Sequence, residues 1–121
     1  MKRGWNSIVR EVVKFRDARD WKQFHTPKDL AAGIAIEAAE LQEHFLWKTD
    51  TEIQEYLGIA AKHSSVVEEL ADVIIYALLL ADRLDVDIDG AVKKKLALNA
   101  RKYPVSKARG NARKYTELSD T

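Results

Sequence analysis

Asp72 stands in the run Leu70-Ala71-Asp72-Val73-Ile74-Ile75-Tyr76-Ala77-Leu78-Leu79-Leu80-Ala81, with apolar neighbours on every side. The run is far shorter than the roughly 20 residues that cross a bilayer, so it belongs inside a folded protein and takes the carboxylate at least partly with it. An ionised carboxylate withdrawn from water without a partner is very costly, and Asp72 therefore needs a cation, a metal or a raised pKa. Whatever fold the chain adopts must bring one of these to it.

The rest of the sequence is patterned for helices. Proline and glycine are scarce, alternating β-branched runs are few, and apolar residues recur at spacings of three and four. A first helix is expected from about Trp5 to Arg19, with Ile8, Val12, Phe15 and Arg19 on one stripe, ending before the aromatic loop Trp21-Lys22-Gln23-Phe24-His25. Thr26, Pro27 and Asp29 then read as N-cap, first-turn proline and capping-box-like acid of a second helix running to about Trp47. Thr49 or Asp50 can cap a shorter stretch with Ile53, Tyr56, Leu57 and Ala60 on one face, with Gly58 weakening its continuity. A third main helix covers about Ser64 to Arg83, and a fourth, after the acidic turn from Asp85 to Asp89, about Gly90 to Lys102. Residues 105–121 lack apolar periodicity and read as an extended basic arm. The expectation is an all-α bundle of four main helices in one domain over residues 1–121, with apolar faces broad enough to be partly buried against another chain in a homo-oligomer.

Two of these helices carry paired acids. Glu37 and Glu40 are neighbours on one helical face, with Glu43 continuing the line, and Glu69 and Asp72 repeat the spacing. An isolated ExxE on a helix is ordinarily a solvated face. Two such pairs, one inside an apolar run, point instead to a cluster that would repel itself without a divalent cation. Oxygen-only ligands suit Mg²⁺, with Mn²⁺ as a substitute. A di-iron carboxylate site would require Glu-x-x-His, and none of His25, His44 or His63 has a Glu three residues before it.

Composition narrows the remaining classes. The chain has no cysteine, which excludes disulfides, thiolate zinc sites and cysteine nucleophiles. The first residues have charges among their apolar positions, unlike a signal peptide, so a cytoplasmic protein without a membrane segment is expected. The net charge of +1 hides an acidic body, with 11 Lys/Arg against 17 Asp/Glu in residues 1–92, and a basic end, with 9 against 2 in residues 93–121. Such an end can neutralise the body, bind nucleic acid or hold the phosphates of a small ligand. A nucleic-acid-binding helical oligomer is thus the alternative to an enzyme, although it gives no reason for Asp72 in an apolar run.

With these residues assembled, the sequence resembles the MazG-like, all-α nucleoside triphosphate pyrophosphohydrolases, most closely their dCTP pyrophosphatase branch, over nearly its whole length. The metal signature of that family, EExxE followed by a helical spacer and ExxD, is matched by Ile36-Glu37-Ala38-Ala39-Glu40 and Glu69-Leu70-Ala71-Asp72. Ile36 replaces the first Glu, as in the dCTP pyrophosphatase branch. The stretch from Arg19 to His25, Phe45-Leu46-Trp47-Lys48, Tyr76, Asn99, Lys102-Tyr103-Pro104-Val105 and Lys114-Tyr115-Thr116-Glu117-Leu118 also match.

The resemblance implies a dimer or tetramer with active sites at chain interfaces. It also implies Mg²⁺-dependent hydrolysis of dCTP, a related deoxynucleotide, dUTP or a broader set of triphosphates, to monophosphate and pyrophosphate, for nucleotide-pool sanitation or balance. Glu37, Glu40, Glu69 and Asp72 become the metal-binding and catalytic set, and Glu40 and Glu43 the candidates for a general base. By the same resemblance Trp21 and Trp47 flank the base, although packing explains them equally well. Tyr76 reaches sugar or base, while His25 contacts substrate or merely packs. Lys95 and Asn99, on one face of the fourth helix, suit phosphate or metal-bound water, Arg109 and Lys114 can clamp phosphates, and Lys48 joins the substrate-binding set. His44 and His63 are expected to be structural or solvated.

Overall fold

A computed structural model describes residues 4–118. In chain order it contains α1 (Trp5–Ala18), a 3₁₀ turn (Lys22–Phe24), α2 (Pro27–Glu43), α3 (Asp50–Leu57), α4 (Ala60–Arg83), α5 (Ile88–Lys102), α6 (Val105–Ala108) and a second 3₁₀ turn (Tyr115–Glu117). Among the described residues there is no strand, and no helix is long and apolar enough to cross a membrane. The chain forms two compact units, one ending at Val86 and the other beginning at Asp87.

Local chemistry sets several helix ends. Thr26 accepts a hydrogen bond from the Asp29 amide at 3.2 Å, with Pro27 in the first helical position of α2. Thr49 and Glu52 form a reciprocal capping box at α3, and Gly58 closes that helix. Two expected boundaries move. α2 stops at Glu43 rather than near Trp47, and the chain turns through residues 44–47 with Trp47 in the left-handed region at φ 63°. His44 is held there by Tyr56 of α3, its Nδ1 lying 2.6 Å from the phenolic oxygen, so a tertiary contact ends the helix early. α4 begins at Ala60, one turn before Ser64, with Ile59 as its N-cap after the Gly58 cap of α3.

In the first unit α2 and α4 are the principal pair, and α1 and α3 pack on α4. The two central helices run antiparallel. Gly33 faces Tyr76, whereas further along α2 Glu37 and Glu40 meet Glu69, so residue numbers rise on one helix as they fall on the other. Apolar burial is completed by Leu30 of α2 and Leu78, Leu79 and Ala81 of α4. Beside them Arg16 of α1 is only 2% exposed. Its Nη1 donates to Asp82 at 2.7 Å and its Nε to Asp17 at 2.9 Å. Burial opposes the guanidinium charge, and the two carboxylates more than offset it, raising the pKa of Arg16 further. This pair ties α1 to α4. Trp5, Ile8 and Phe15 of α1 and Val67, Leu70 and Ile75 of α4 stay exposed, leaving apolar surface that this unit does not cover by itself.

The second unit is not an extended arm throughout. Beyond Lys102 the chain makes α6 and the 3₁₀ turn, and the rings of Tyr103 and Tyr115 meet edge to face at 6.0 Å. Lys102 Nζ lies 4.8 Å from the Tyr115 ring centre. Aromatic anchors rather than a periodic apolar face hold this stretch, which is why helical spacing gives no sign of it.

Gly33 is the tightest point of the α2–α4 pair: a Cβ there would lie 2.6 Å from Cε1 of Tyr76. Gly33→Ala gains about 1 kcal/mol of helix propensity but overpacks a ring contact at a cost of roughly 1–3 kcal/mol. A net loss of up to ~2 kcal/mol in chemical denaturation is expected, with the Tyr76 ring displaced. A variant more stable than the parent would show that the ring yields freely.

Candidate functional site

The antiparallel pairing brings together acids that are distant in sequence. One carboxylate oxygen each from Glu37, Glu40 and Glu69 lie within 4.8 Å of one another, with Glu37 and Glu69 half-buried and Glu40 exposed. Glu37 Oε2 and Glu69 Oε2 are both buried and accept no hydrogen bond among the described residues. Burial is the first cause that raises the Glu37 pKa, followed by its contacts with Glu69 and Glu40 and the charges of Glu40 and Asp72, and together they push it up to about 7. Carboxylates that gather without donors fit a hard divalent cation, whose charge would replace the missing partners. Asp72 does not join this trio, but its charge acts on Glu37 and its side chain is half-buried at the wall of a neighbouring cavity.

That neighbouring cavity measures about 230 Å³ and is mainly apolar and aromatic. Phe15, Trp21, His25, Ile75 and Tyr76 line it, Asp72 marks its acidic side, and Arg16 closes one wall. Phe15 and Trp21 meet edge to face at 5.8 Å, and His25 lies 6.4 Å from the Trp21 ring. The His25 carbonyl accepts from Nε of Arg83 at 3.0 Å. Burial first, then the charges of Arg16 and Arg83, lower the pKa of the His25 imidazole, which is neutral near pH 7. Its Nδ1 is buried and has no partner among the described residues. An aromatic slot with an unpaired imidazole nitrogen suits a flat heterocycle carrying polar edges.

A second cavity, of about 400 Å³, opens on the other side of the carboxylates. Glu40 and Glu69 contribute to it together with Glu43, His44, Lys48 and Tyr56.

The structure thus places Trp21, His25, Asp72 and Tyr76 at one cavity of the first unit and Glu40, Lys48 and Glu69 at another, with Glu37 beside Glu40 and Glu69. Trp47 lines neither cavity and is 91% exposed. Lys95 and Asn99 lie on α5, with Asn99 half-buried, while Arg109 follows α6 and Lys114 precedes the last 3₁₀ turn; all four belong to the second unit. Phe15, Arg16, Ile75 and the His44–Tyr56 pair were not singled out from sequence as part of a site. A charge at Arg16, one turn beyond Val12 on the apolar face of the first helix, is the available sign for one of them.

Comparison with known proteins places this geometry in context. The MazG-like family model matches residues 33–118. The chain is 44% identical to dCTP pyrophosphatase 1 of Homo sapiens and 43% identical to that of Mus musculus, in each case over 92% of this chain and 65% of the other. It therefore spans slightly under two thirds of the length of these curated relatives. Among solved structures, a pyrophosphatase from Archaeoglobus fulgidus superposes with a TM-score of 0.76 at 41% identity, covering 86% of this chain and 95% of that one.

The Glu37 carboxyl yields a pH prediction. With its pKa raised from 4.5 to about 7, it keeps its proton in the folded chain where the unfolded chain has lost it. Stability drawn from the neutral carboxyl is therefore lost as pH rises through that window. A divalent cation competes with the same proton, so Mg²⁺ should raise the melting temperature strongly at about pH 8 and little at about pH 5. Glu37→Gln should flatten the metal-free profile. An equal Mg²⁺ effect at both pH values would place the cation elsewhere.

Proposed function

The chain belongs to the MazG-like family, and from that premise we propose that it hydrolyses a nucleoside triphosphate, dCTP or a related deoxynucleotide, to the monophosphate and pyrophosphate. The observation that carries this reading is the adjacency of the aromatic cavity to the unpartnered carboxylates, with Asp72 bordering both. A base and an anionic phosphate chain need such contrasting surroundings side by side. The relatives named dCTP pyrophosphatase 1 support the substrate class.

In this reading Glu37, Glu40, Glu69 and Asp72 hold Mg²⁺, which Mn²⁺ can replace. Bound there, the cation would neutralise phosphoryl oxygens and lower the pKa of a water. Trp21, Phe15 and Tyr76 take the base between aromatic surfaces, and neutral His25 offers its Nδ1 to a polar base edge. Lys48 supplies positive charge to the phosphates. Water attacks the α-phosphorus and the bond to the α–β bridging oxygen breaks. Pyrophosphate leaves, while the water proton passes to a carboxylate oxygen of Glu40 or Glu43.

Lys95, Asn99, Arg109 and Lys114 of the second unit are proposed, on the family resemblance, as phosphate-binding residues. The family match runs across the boundary at Val86, which supports reading residues 1–121 as one functional domain. The exposed apolar residues of α1 and α4 support a homo-oligomer, dimer or tetramer, in which Trp47 of one copy flanks a base held by another. The activity would cleanse or balance the cytoplasmic nucleotide pool.

Asp72→Asn tests the reading, because it removes a carboxylate with almost no change in volume. Across a panel of ribo- and deoxynucleoside triphosphates, the parent should release pyrophosphate with Mg²⁺ and none with chelator. The variant should lose activity by about a hundredfold or more while its size-exclusion profile stays unchanged. Full activity in Asp72→Asn would remove this residue from the metal site.

A further inference from the structure

The cavity beyond Glu40 and Glu69 is walled by unlike chemistry. Glu40, Glu43 and Glu69 line it together with His44, Tyr56 and Lys48. His44 Nδ1 and the Tyr56 hydroxyl are 2.6 Å apart. In one tautomer the hydroxyl donates to Nδ1 and the imidazole keeps Nε2–H as a donor. In the other, Nδ1–H donates to the phenolic oxygen and the hydroxyl hydrogen is left to donate. Either way the pair retains a donor. Lys48 Nζ lies 4.6 Å from the Tyr56 ring centre, so the same ring that carries the hydroxyl steadies the ammonium group.

A free anion would be repelled by the three glutamates, and a free cation gains nothing from Lys48 or the donor pair. What satisfies both kinds of group is an anion that arrives with a divalent cation, the acids binding the metal and the donors the oxygens. The order of groups along the antiparallel α2–α4 pair adds a direction. Asp72 borders the aromatic cavity, Glu40 and Glu69 border the polar one, and Glu37 lies beside Glu40 and Glu69. A triphosphate whose base occupies the aromatic cavity passes its chain across the carboxylates and ends beside His44, Tyr56 and Lys48.

We propose that the His44–Tyr56 pair, with Lys48, is the binding site for the β- and γ-phosphates of the substrate and for the pyrophosphate that leaves. The proposal rests on the function proposed above for the direction of the substrate, and its donors act by direct contact with phosphate oxygens. Holding the leaving group in line with the broken bond is the contribution these residues make to the reaction.

Calorimetric titration of the full chain with inorganic pyrophosphate in excess Mg²⁺ tests it, with the deoxynucleoside monophosphate as the second probe. Tyr56→Phe removes only the hydroxyl and His44→Leu the imidazole. Each should weaken pyrophosphate by about tenfold and leave the monophosphate unchanged. His44→Gln, which keeps a donor, should recover part of the loss. Equal pyrophosphate affinity in parent and variants overturns the proposal, as does no binding to the parent. Equal weakening of both probes also overturns it, by showing a structural role. Because the readout is binding, it is separable from turnover: pyrophosphate binding without hydrolysis of any triphosphate would defeat the functional reading and leave this subsite standing.

Discussion

The site depends on one electrostatic conflict, the meeting of carboxylates across the α2–α4 interface with no donor to receive them. Glu37 Oε2 and Glu69 Oε2 are buried and unpaired, and Glu40 and Asp72 add charge to the same region. A helix pair stabilised mainly by apolar packing would have no reason to retain this arrangement, since buried like charges oppose association. Raising the Glu37 pKa to about 7 relieves the conflict with a proton. A divalent cation would relieve it by supplying the missing positive charge.

Around this conflict the first unit divides its space by chemistry. The apolar side of the α2–α4 pair continues into the aromatic cavity, where Tyr76 lies against Gly33. The Arg16–Asp82 pair fixes α1 on α4 and so holds Phe15 and Trp21 at the mouth of that cavity. At the opposite end the early stop of α2 and the return of the chain through α3 bring Tyr56 to His44 and Lys48. The left-handed backbone at Trp47 belongs to this return, and it turns a large ring fully outward. Such a conformation is strained for an aromatic residue.

Much of this was legible because it is local. The Thr26-Pro27-Asp29 start of α2 and the capping box at Thr49 are written within four residues, and their hydrogen bonds are those expected. The ExxE and ExxD pairs were legible because helical spacing alone puts each pair on one face. What sequence could not give is who faces whom. Arg16 and Asp82 are 66 residues apart, and nothing in either helix names the other. His44 was expected to be structural or solvated because its partner comes from a different helix. The α2 boundary was misplaced for the same reason, a tertiary hydrogen bond overriding continued helical spacing. Beyond Lys102, single aromatic contacts replaced periodicity, and an extended arm was the natural but incomplete expectation.

The central claim is that the carboxylates between α2 and α4 exist to hold a divalent cation, and the most direct test is to see where one sits. Crystals soaked in Mn²⁺ and measured at the manganese absorption edge give that position without reference to turnover. The account predicts an anomalous peak among Glu37, Glu40 and Glu69, on the side that Asp72 borders. Well-ordered crystals with no peak there, or with manganese only at other acids, would contradict it.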